Sequence, residues 1–489
     1  MRWLTKSRYM SGLQCPKRLW LEKNEPLPKS PVVPMRMQGG VAVDNLVRTV
    51  WSGVTVFRDD GPIAAIEETR RLMQSGMPER IYQPAFQVDR LMVIADILES
   101  VVGGVALTEV KSSTSIKPQH IDDLAFQTHV LQRAGMQVTQ ISLMHVNREF
   151  VLRTAGNYDG LMQAEDVTAI VRQRLASAEQ TSLALLGVLD SADEPPMRMG
   201  DHCSTPYPCP YSERCDRQEG GPVEYPVSLL PHAGKLGPAL RADGYKDLRE
   251  VPVERLSDAM HQRVHKSTVT GETFRDGDAC ASLRAQSHPI AYLDFETLAP
   301  PIPEVIGARP YQQVPFQWSL HVEKSAGVVE HSEYLATSAL VNLRELAERL
   351  IAAVPVDACV LAYNAPFEKK VLLDLAVWLP DLSASLTSIA DRLEDLLPVA
   401  RASYYHPAMK GSWSFKAVLP TIDRALDYSN LADVGDGEDA QVAFVEYTDP
   451  GTSAERRARL RESLLQYCGR DTWGMVVLRR YLLDTGGAP

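Results

Sequence analysis

The pattern of hydrophobic and polar residues predicts strands followed by a helix in the first half of the chain. Residues 80–111 contain the runs IYQPAFQV and LMVIADILES, a turn at Gly103–Gly104 and the run VALTEVK. The apolar positions of VIADILE are nearly continuous, which is typical of a strand covered on both faces. Residues 119–134 repeat their apolar positions with a helical period and stop before Gly135. We therefore expect strand, turn, strand and then helix.

Ionisable side chains stand within these apolar strands at Asp96, Glu109 and Lys111. The two-residue period of a strand puts Glu109 and Lys111 on one face, and pairing of the strands brings Asp96 beside Glu109. Two carboxylates in an apolar setting repel each other unless a divalent cation neutralises them. Lys111 is then placed to orient or polarise an attacking water, and Gln127 of the helix faces back toward the strands.

A second set of acids follows in the part of the chain after residue 285. In HPIAYLDFETLA the strand period puts Asp294 and Glu296 on one face, where two acids on an apolar strand are costly unless they bind a cation. The run VDACVLAYNAPFEKKVLLDLA predicts a buried strand and then a helix that carries Glu368 in its first turn. A long helix near the end of the chain places Tyr467 and Asp471 on one face, four residues apart.

Composition limits the class of protein. A chain of 489 residues is too long for one hydrophobic core, and two or three domains are expected. No apolar run has the roughly 20 residues of a membrane span, and no export signal is recognisable, so we expect no membrane and a cytoplasmic location. The net charge of −11 does not favour a nucleic-acid binder, but residues 1–48 are locally basic.

The seven cysteines, an odd number, favour metal ligation in a reducing compartment over disulfides. Cys203, Cys209 and Cys215 follow one another at five-residue spacing, and Cys15 stands alone near the beginning of the chain. One metal centre on all four would close a long loop and have a structural role. The spacing fits zinc poorly, and at this point an iron–sulphur cluster, zinc and unmetallated thiols are the alternatives. Three further cysteines show no ligand spacing and are interpreted as buried apolar residues: Cys280, Cys359 and Cys468.

Residues 1–220 resemble the PD-(D/E)XK nucleases of the RecB-like branch, in the subgroup with a four-cysteine iron–sulphur clip. The resemblance is carried by the strand-borne Asp96, the sequence Glu109-Val110-Lys111 and the helix-borne Gln127, between Cys15 and the three later cysteines. It implies that Asp96 and Glu109 bind Mg²⁺ or Mn²⁺, that Lys111 is catalytic and that Gln127 belongs to the site. It also implies a cluster of the 4Fe-4S type on Cys15, Cys203, Cys209 and Cys215.

Residues 287–485 resemble the DnaQ-like 3′–5′ exonucleases of the DEDDy subgroup, which have a ribonuclease H-like fold. The motifs are Asp-x-Glu on a strand, an acid after Asn-Ala-x-Phe, and Tyr-x-x-x-Asp on a late helix. The resemblance implies that Asp294, Glu296, Glu368 and Asp471 bind two divalent metal ions and that Tyr467 positions the attacking water. The order of the two regions resembles an uncharacterised bacterial family built on a domain of unknown function.

The predicted architecture has three parts. A PD-(D/E)XK restriction-endonuclease-like domain spans 1–220, a small helical connector spans 221–285, and a ribonuclease H-like mixed-sheet domain spans 286–489, all of class α/β. The connector run LLPHAGKLGPALRADGYKDLREVP predicts a pair of helices with turns at Gly234, Gly237 and Gly244. It is loosely similar to helix-hairpin-helix elements, with a plain helical linker as the alternative.

The function expected from these resemblances is hydrolysis of phosphodiester bonds at two metal sites. The expected partner is DNA, chiefly single-stranded ends, in repair or defence. One alternative is an exonuclease that acts on RNA. Another is a nucleic-acid-binding scaffold with degenerate sites, suggested by Asp44 in place of an early histidine, Leu131 in place of a tyrosine and Glu368 in place of an aspartate.

Overall fold

A computed structural model describes residues 3–28, 34–221 and 223–484 of the chain. These residues contain 17 α-helices and several mixed sheets, so the predicted α/β class is confirmed. In the described part of the chain, no helix combines the length and the hydropathy that a membrane span requires.

The structure divides into two compact units. The first comprises Met1–Pro222 and Pro300–Tyr311, and the second comprises Val223–Ala299 and Gln312–Pro489. Most of the predicted connector, residues 221–285, therefore groups with the second unit. The three domain boundaries proposed from the sequence stay a prediction.

The first unit contains nine strands and seven helices among its described residues. Its strands are β1 (Leu4–Thr5), β2 (Val54–Thr55), β3 (Arg80–Tyr82), β4 (Ala85–Val88), β5 (Leu91–Ile94), β6 (Ile97–Val101), β7 (Gly104–Lys111), β8 (Val138–Val146) and β9 (Met162–Asp166). Its helices are α1 (Lys6–Gln14), α2 (Pro16–Asn24), α3 (Met35–Val50), α4 (Gly61–Gln74), α5 (Pro118–Arg133), α6 (Thr168–Asp190) and α7 (Ser212–Gln218).

Two sheets organise the first unit, in the orders β2-β3-β6-β7-β8-β9 and β1-β5-β4. Strands β6 and β7 are antiparallel, whereas β7 and β8 are parallel and are joined through α5. Leu124 and Val130 of α5 share one buried core with Leu107 of β7 and Leu143 of β8. Apolar burial on this scale stabilises the layer of helix on sheet, at roughly 25 cal/mol for each Å² removed from water.

The strand prediction for residues 80–101 was wrong in one respect. The run VIADILE forms two strands rather than one, because the chain leaves one sheet after β5 and enters the other at β6. Asp96 lies at this change of sheet, where its carboxylate accepts the backbone N–H of Val110. A buried carboxylate needs such donors, and the break between strands provides them. Pro84 likewise separates β3 from β4, since proline lacks the N–H that a ladder requires.

The second unit contains seven strands and ten helices among its described residues. Its strands are β10 (Phe274–Arg275), β11 (Ile290–Leu298), β12 (Val314–Ser325), β13 (Val328–Leu335), β14 (Cys359–Ala362), β15 (Leu393–Asp395) and β16 (Tyr404–Tyr405). Its helices are α8 (Leu236–Ala242), α9 (Ala259–Thr270), α10 (Ala281–Ala285), α11 (Leu343–Ala353), α12 (Pro366–Trp378), α13 (Ser383–Asp391), α14 (Leu396–Ser403), α15 (Phe415–Ile422), α16 (Gly437–Thr448) and α17 (Ala454–Leu483).

The main sheet of the second unit has the order β13-β12-β11-β14-β15. Strands β13, β12 and β11 are antiparallel, and β11, β14 and β15 are parallel. The long helix α17 packs on β11 and β12, and the buried Gln317 of β12 donates to the carbonyl of Leu464 in that helix at 2.8 Å. This packing brings the late helix to the strand that carries Asp294 and Glu296.

The connector differs from the predicted helix pair. One α-helix, α8, occupies the run, and it is flanked by short 3₁₀ turns at Val227–Leu229 and Leu248–Glu250. Gly234 and Gly244 have positive φ values of 51° and 95°, as turn glycines do, but Gly237 lies inside the helix. The predicted turn at Gly237 was therefore wrong.

Candidate active sites

In the second unit, β11 and α17 place three potential metal ligands together. Asp294 and Glu296 project from one face of β11, and Cys468 comes from α17. One ligand atom of each residue lies within 4.8 Å of the others, and Cys468 Sγ is 3.5 Å from Asp294 Oδ2. The interpretation of Cys468 as a purely apolar residue was therefore incomplete, because its thiol contacts an acid of the candidate site.

Tyr467 and Asp471 lie on the buried side of the same helix. Asp471 is 8% exposed, and its Oδ1 accepts a short hydrogen bond from the Tyr428 hydroxyl. The rings of Tyr428 and Tyr467 meet edge to face, with their centroids 5.9 Å apart. Tyr428 was not predicted as a site residue, because it stands in a 3₁₀ turn that has no periodic pattern.

Glu368 lies in the first turn of α12, four residues after Asn364. Its side chain is 3% exposed, and Oε2 has no hydrogen-bond partner among the described residues. Asp395, the nearby acid, is already engaged: its Oδ1 accepts the backbone N–H groups of Asn364 at 2.9 Å and of Leu397 at 3.0 Å. Asp395 therefore serves as the N-cap of α14, whereas Oε2 of Glu368 is available to a ligand.

The acids of the second unit are buried, and their negative charges act on one another. Burial, and then the charges of Asp471 and the other acids, raise the pKa values of Asp294 and Glu296 well above their usual range. Burial raises the pKa of Asp471 to about 7, and burial also raises the pKa of Glu368 to about 8. The positive charge of Lys416 opposes the shift at Glu296 and Asp471. A divalent cation would stabilise the ionised acids.

In the first unit, Glu109 is the centre of a buried polar network. Its side chain is 1% exposed; Oε1 accepts hydrogen bonds from Lys111 and, at 2.7 Å, from Lys6, while Oε2 accepts from Gln127 Nε2 at 2.7 Å. The structure thus brings Glu109, Lys111 and Gln127 together. Although burial favours the protonated acid, the two ammonium groups hold the pKa of Glu109 below its usual value.

Asp123 completes this network and was missed in the sequence. Lys111 Nζ lies 3.0 Å from Asp123 Oδ2, and Gln127 Nε2 donates to Asp123 Oδ1 at 2.9 Å. The available signal was its spacing, since Asp123 precedes Gln127 by one turn on the same face of α5. Lys6, which precedes Cys15 by nine residues, offered no such signal in the sequence.

Asp96 lies near this network, at the change between sheets, but its hydrogen bonds go to other residues. Its Oδ2 accepts the N–H of Val110 at 2.8 Å, and its Oδ1 accepts from Gln83 Nε2 at 3.3 Å. Burial, and then the charge of Glu109, raise the pKa of Asp96 to about 7. Asp44 and Leu131, which stand where the nucleases that this region resembles have a histidine and a tyrosine, have structural roles here. Asp44 pairs with Arg48 on α3, and Leu131 is fully buried in the core.

The four cysteines of the first unit surround one small cavity. Cys15 stands between α1 and α2, and the other three come from the segment that ends in α7. Burial raises the pKa values of Cys209 and Cys215. Among the described residues, no three of the cysteine sulphurs lie within 4.8 Å of one another, whereas the ligands of one tetrahedral zinc ion are roughly 4 Å apart.

Comparison with known proteins finds a family that matches part of the second unit. The profile of a family described as Domain of unknown function (DUF2779) matches residues 291–414. The matched part includes Asp294, Glu296 and Glu368 but ends before Tyr467 and Asp471. No curated protein matches the chain. The match supports the predicted relation to a family of unknown function over this part of the second unit.

Proposed function

We propose that the second unit is a metal-dependent 3′–5′ exonuclease of the DnaQ-like, DEDDy type. The observation that carries the proposal is the buried set of acids contributed by β11, α12 and α17, in which Glu368 has an unpartnered oxygen. Buried carboxylates without counter-charges are costly unless a cation binds them. The strand order, with three antiparallel strands followed by two parallel ones, supports a ribonuclease H-like fold.

Each residue of the proposed site has a chemical task. Asp294, Glu296, Glu368 and Asp471 would hold Mg²⁺ or Mn²⁺, which activates water and stabilises the leaving 3′ oxygen in phosphodiester hydrolysis. Tyr467 orients the attacking water through its hydroxyl. Tyr428 holds Asp471 in place through its hydrogen bond, a positioning role that the sequence did not suggest.

We propose a second hydrolytic site, of the PD-(D/E)XK type, in the first unit. Support comes from the contacts of Glu109 with Lys111 and Gln127, next to Asp96 and the parallel pair of β7 and β8. Asp96 and Glu109 would hold Mg²⁺ or Mn²⁺, and Lys111 would polarise the water. One observation favours the scaffold alternative for this unit alone: Lys6 already neutralises Glu109.

We propose that the cysteine cavity holds an iron–sulphur cluster of the 4Fe-4S type. The group would be bound by four thiolates, and it would tie the beginning of α2 to the segment before α7. Because metal binding couples to folding, the cluster would stabilise the first unit without taking part in hydrolysis. The five-residue spacing of Cys203, Cys209 and Cys215 supports a cluster over zinc, whose cysteine ligands usually stand two to four residues apart.

The two hydrolytic sites are tested separately with end-labelled single-stranded DNA and RNA in Mg²⁺ or Mn²⁺. Wild type runs beside Asp294→Ala and Glu109→Ala. We expect Asp294→Ala to abolish stepwise loss from the 3′ end and Glu109→Ala to abolish a distinct cleavage. If only one of the two variants loses an activity, the unit whose variant loses none would have a binding role. Cleavage of RNA but not DNA would support the alternative substrate. No cleavage by wild type would contradict both nuclease proposals.

A further inference from the structure

A cavity of about 650 Å³ lies within the second unit, between the connector residues and the sheet edge. This volume is within the range of small-molecule sites, roughly 300–1,000 Å³. The rings of Tyr363 and Phe415 stack in its lining, with their centroids 3.9 Å apart and an interplanar angle of 23°. Trp413 also lines it and is held by its Nε1, which donates to the carbonyl of Tyr404 at 2.8 Å. The aromatic wall is therefore fixed in place before any ligand arrives.

The cavity also carries a cation that has no partner. Arg401 lines the cavity, is half-buried, and its guanidinium makes no ion pair or hydrogen bond with the described residues. Its charge acts on the neighbouring Tyr363. Burial raises the pKa of Tyr363, and the positive charge of Arg401 opposes this rise. A guanidinium beside aromatic rings offers both stacking and bidentate contacts to a phosphate. A ligand that combines a flat ring with an anion satisfies both features.

Two residues of the cavity have an unusual backbone conformation. His232 and Asn364, neither of which is a glycine, have φ values of 53° and 77°. Residues with such a backbone conformation are strained, and they concentrate at ligand sites. Asn364 is held there by the hydrogen bond from its N–H to Asp395, and its side chain is exposed. The strain thus occurs where polar groups face the cavity.

Residues that line the cavity are close along the chain to residues of the proposed exonuclease site. Phe415 precedes Lys416, whose charge acts on Glu296 and Asp471. Asn364 lies one turn before Glu368, after β14, which runs parallel to β11. A strand whose scissile phosphate reached the acids would therefore have a neighbouring nucleotide at the cavity.

We propose that this cavity binds one unpaired nucleotide of a single-stranded nucleic acid, with the base on the aromatic wall and a phosphate at Arg401. The inference rests on the proposed exonuclease function and extends it by assigning the residues that hold the substrate strand. Pro231 and Met260, which come from the connector, supply further apolar lining for the base. The connector thereby becomes part of the substrate site rather than a spacer.

The test measures binding of a short fluorescent oligothymidylate by anisotropy, in the Asp294→Ala background so that hydrolysis does not interfere. We expect Phe415→Leu to weaken binding about fivefold or more, because base–aromatic stacking is worth about 1–3 kcal/mol. We expect Arg401→Gln to lower the slope of log Kd against log salt by about 1, as loss of one phosphate contact does. The matched control is Arg424→Gln, because Arg424 is exposed and lies outside the cavity. This variant should change neither the affinity nor the salt dependence of Kd.

Further experiments identify the ligand and separate the loss of a contact from misfolding of a variant. A strand with an abasic position should bind more weakly than the intact strand to the parent protein and equally to Phe415→Leu. Photocrosslinking of a 5-iodouracil strand to the parent protein should label peptides that contain Tyr363 or Phe415. If Phe415→Leu weakened the binding of a mononucleotide as much as it weakened the binding of the strand, the cavity would be a site for free nucleotides. The assignment to a nucleic-acid strand would then fail. Normal strand binding by both variants would overturn the inference but leave the exonuclease proposal intact, and the absence of binding and cleavage by wild type would contradict both.

Discussion

Replacement of Lys6 tests the network that the structure assigns to the first unit. Lys6 Nζ donates to Glu109 at 2.7 Å and lies 3.6 Å from Asp123 Oδ2. In Lys6→Met the side chain keeps its length but loses its charge, so that the buried Glu109 retains Lys111 as its ammonium partner. We expect the variant to be less stable locally and to depend on an added cation.

The size of the effect follows from burial. Removal of one partner from a fully buried ion pair costs about 3–5 kcal/mol, and a hydrogen bond between charged groups contributes about 1.5–3 kcal/mol. The side chain of Lys6 is 30% exposed, while that of Glu109 is 1% exposed. Because Lys111 remains and water reaches Lys6, we expect the lower range, about 2 kcal/mol.

Amide hydrogen exchange of the peptides that cover β7 and α5 measures this local stability. Without a divalent metal, Lys6→Met should exchange faster than wild type by a factor of about 30 in these peptides. Mn²⁺ should restore protection in the variant more than in wild type, since a cation replaces the lost charge. The control Arg71→Met removes a surface pair with 66% and 38% exposed side chains and should change stability by less than about 1 kcal/mol. Unchanged exchange in Lys6→Met, or equal effects of Mn²⁺ on both proteins, would refute the reasoning.

Three further predictions concern pH, backbone and cofactor. Because burial raises the pKa of Asp471 from 3.8 to about 7, its ionisation destabilises the metal-free fold: thermal stability in EDTA should fall from about pH 4 to about pH 7, less steeply in Asp471→Asn and in Mg²⁺. Gly104→Ala should unfold far more readily than Gly103→Ala in urea, since only at Gly104 would a Cβ lie 2.0 Å from a backbone oxygen; equal losses would exclude this clash. Protein purified without oxygen should be brown and contain iron that Cys209→Ser lacks and Cys359→Ser retains; colourless wild type would contradict the cluster.

Local patterns predicted the elements that carry the chemistry. The apolar alternation around Asp294 and Glu296 predicted β11, and the repeat around Tyr467 and Asp471 predicted α17. These predictions depend on periods of two and 3.6 residues, which the sequence displays directly. The grouping of Asp294 with Glu296 follows from strand geometry alone.

Contacts between distant segments were outside the reach of pattern reasoning. Lys6 meets Glu109 across more than a hundred residues of chain, and Tyr428 meets Asp471 from a 3₁₀ turn. The change of sheet at Asp96 was also missed, because a continuous apolar run does not show where the chain leaves a sheet. Cys468 resembled a core residue in sequence, since only the packing of α17 on β11 brings its sulphur to Asp294.

The most direct test of the central claim is whether the buried acids of the second unit hold a divalent cation. Calorimetric titration of Mn²⁺ into Glu109→Ala, which lacks the first unit's candidate ligand, isolates the second site. We predict that Glu109→Ala binds Mn²⁺ and that the double variant Glu109→Ala with Asp294→Ala loses this binding while its circular dichroism stays the same. Equal binding of Mn²⁺ by the single and the double variant would contradict the account.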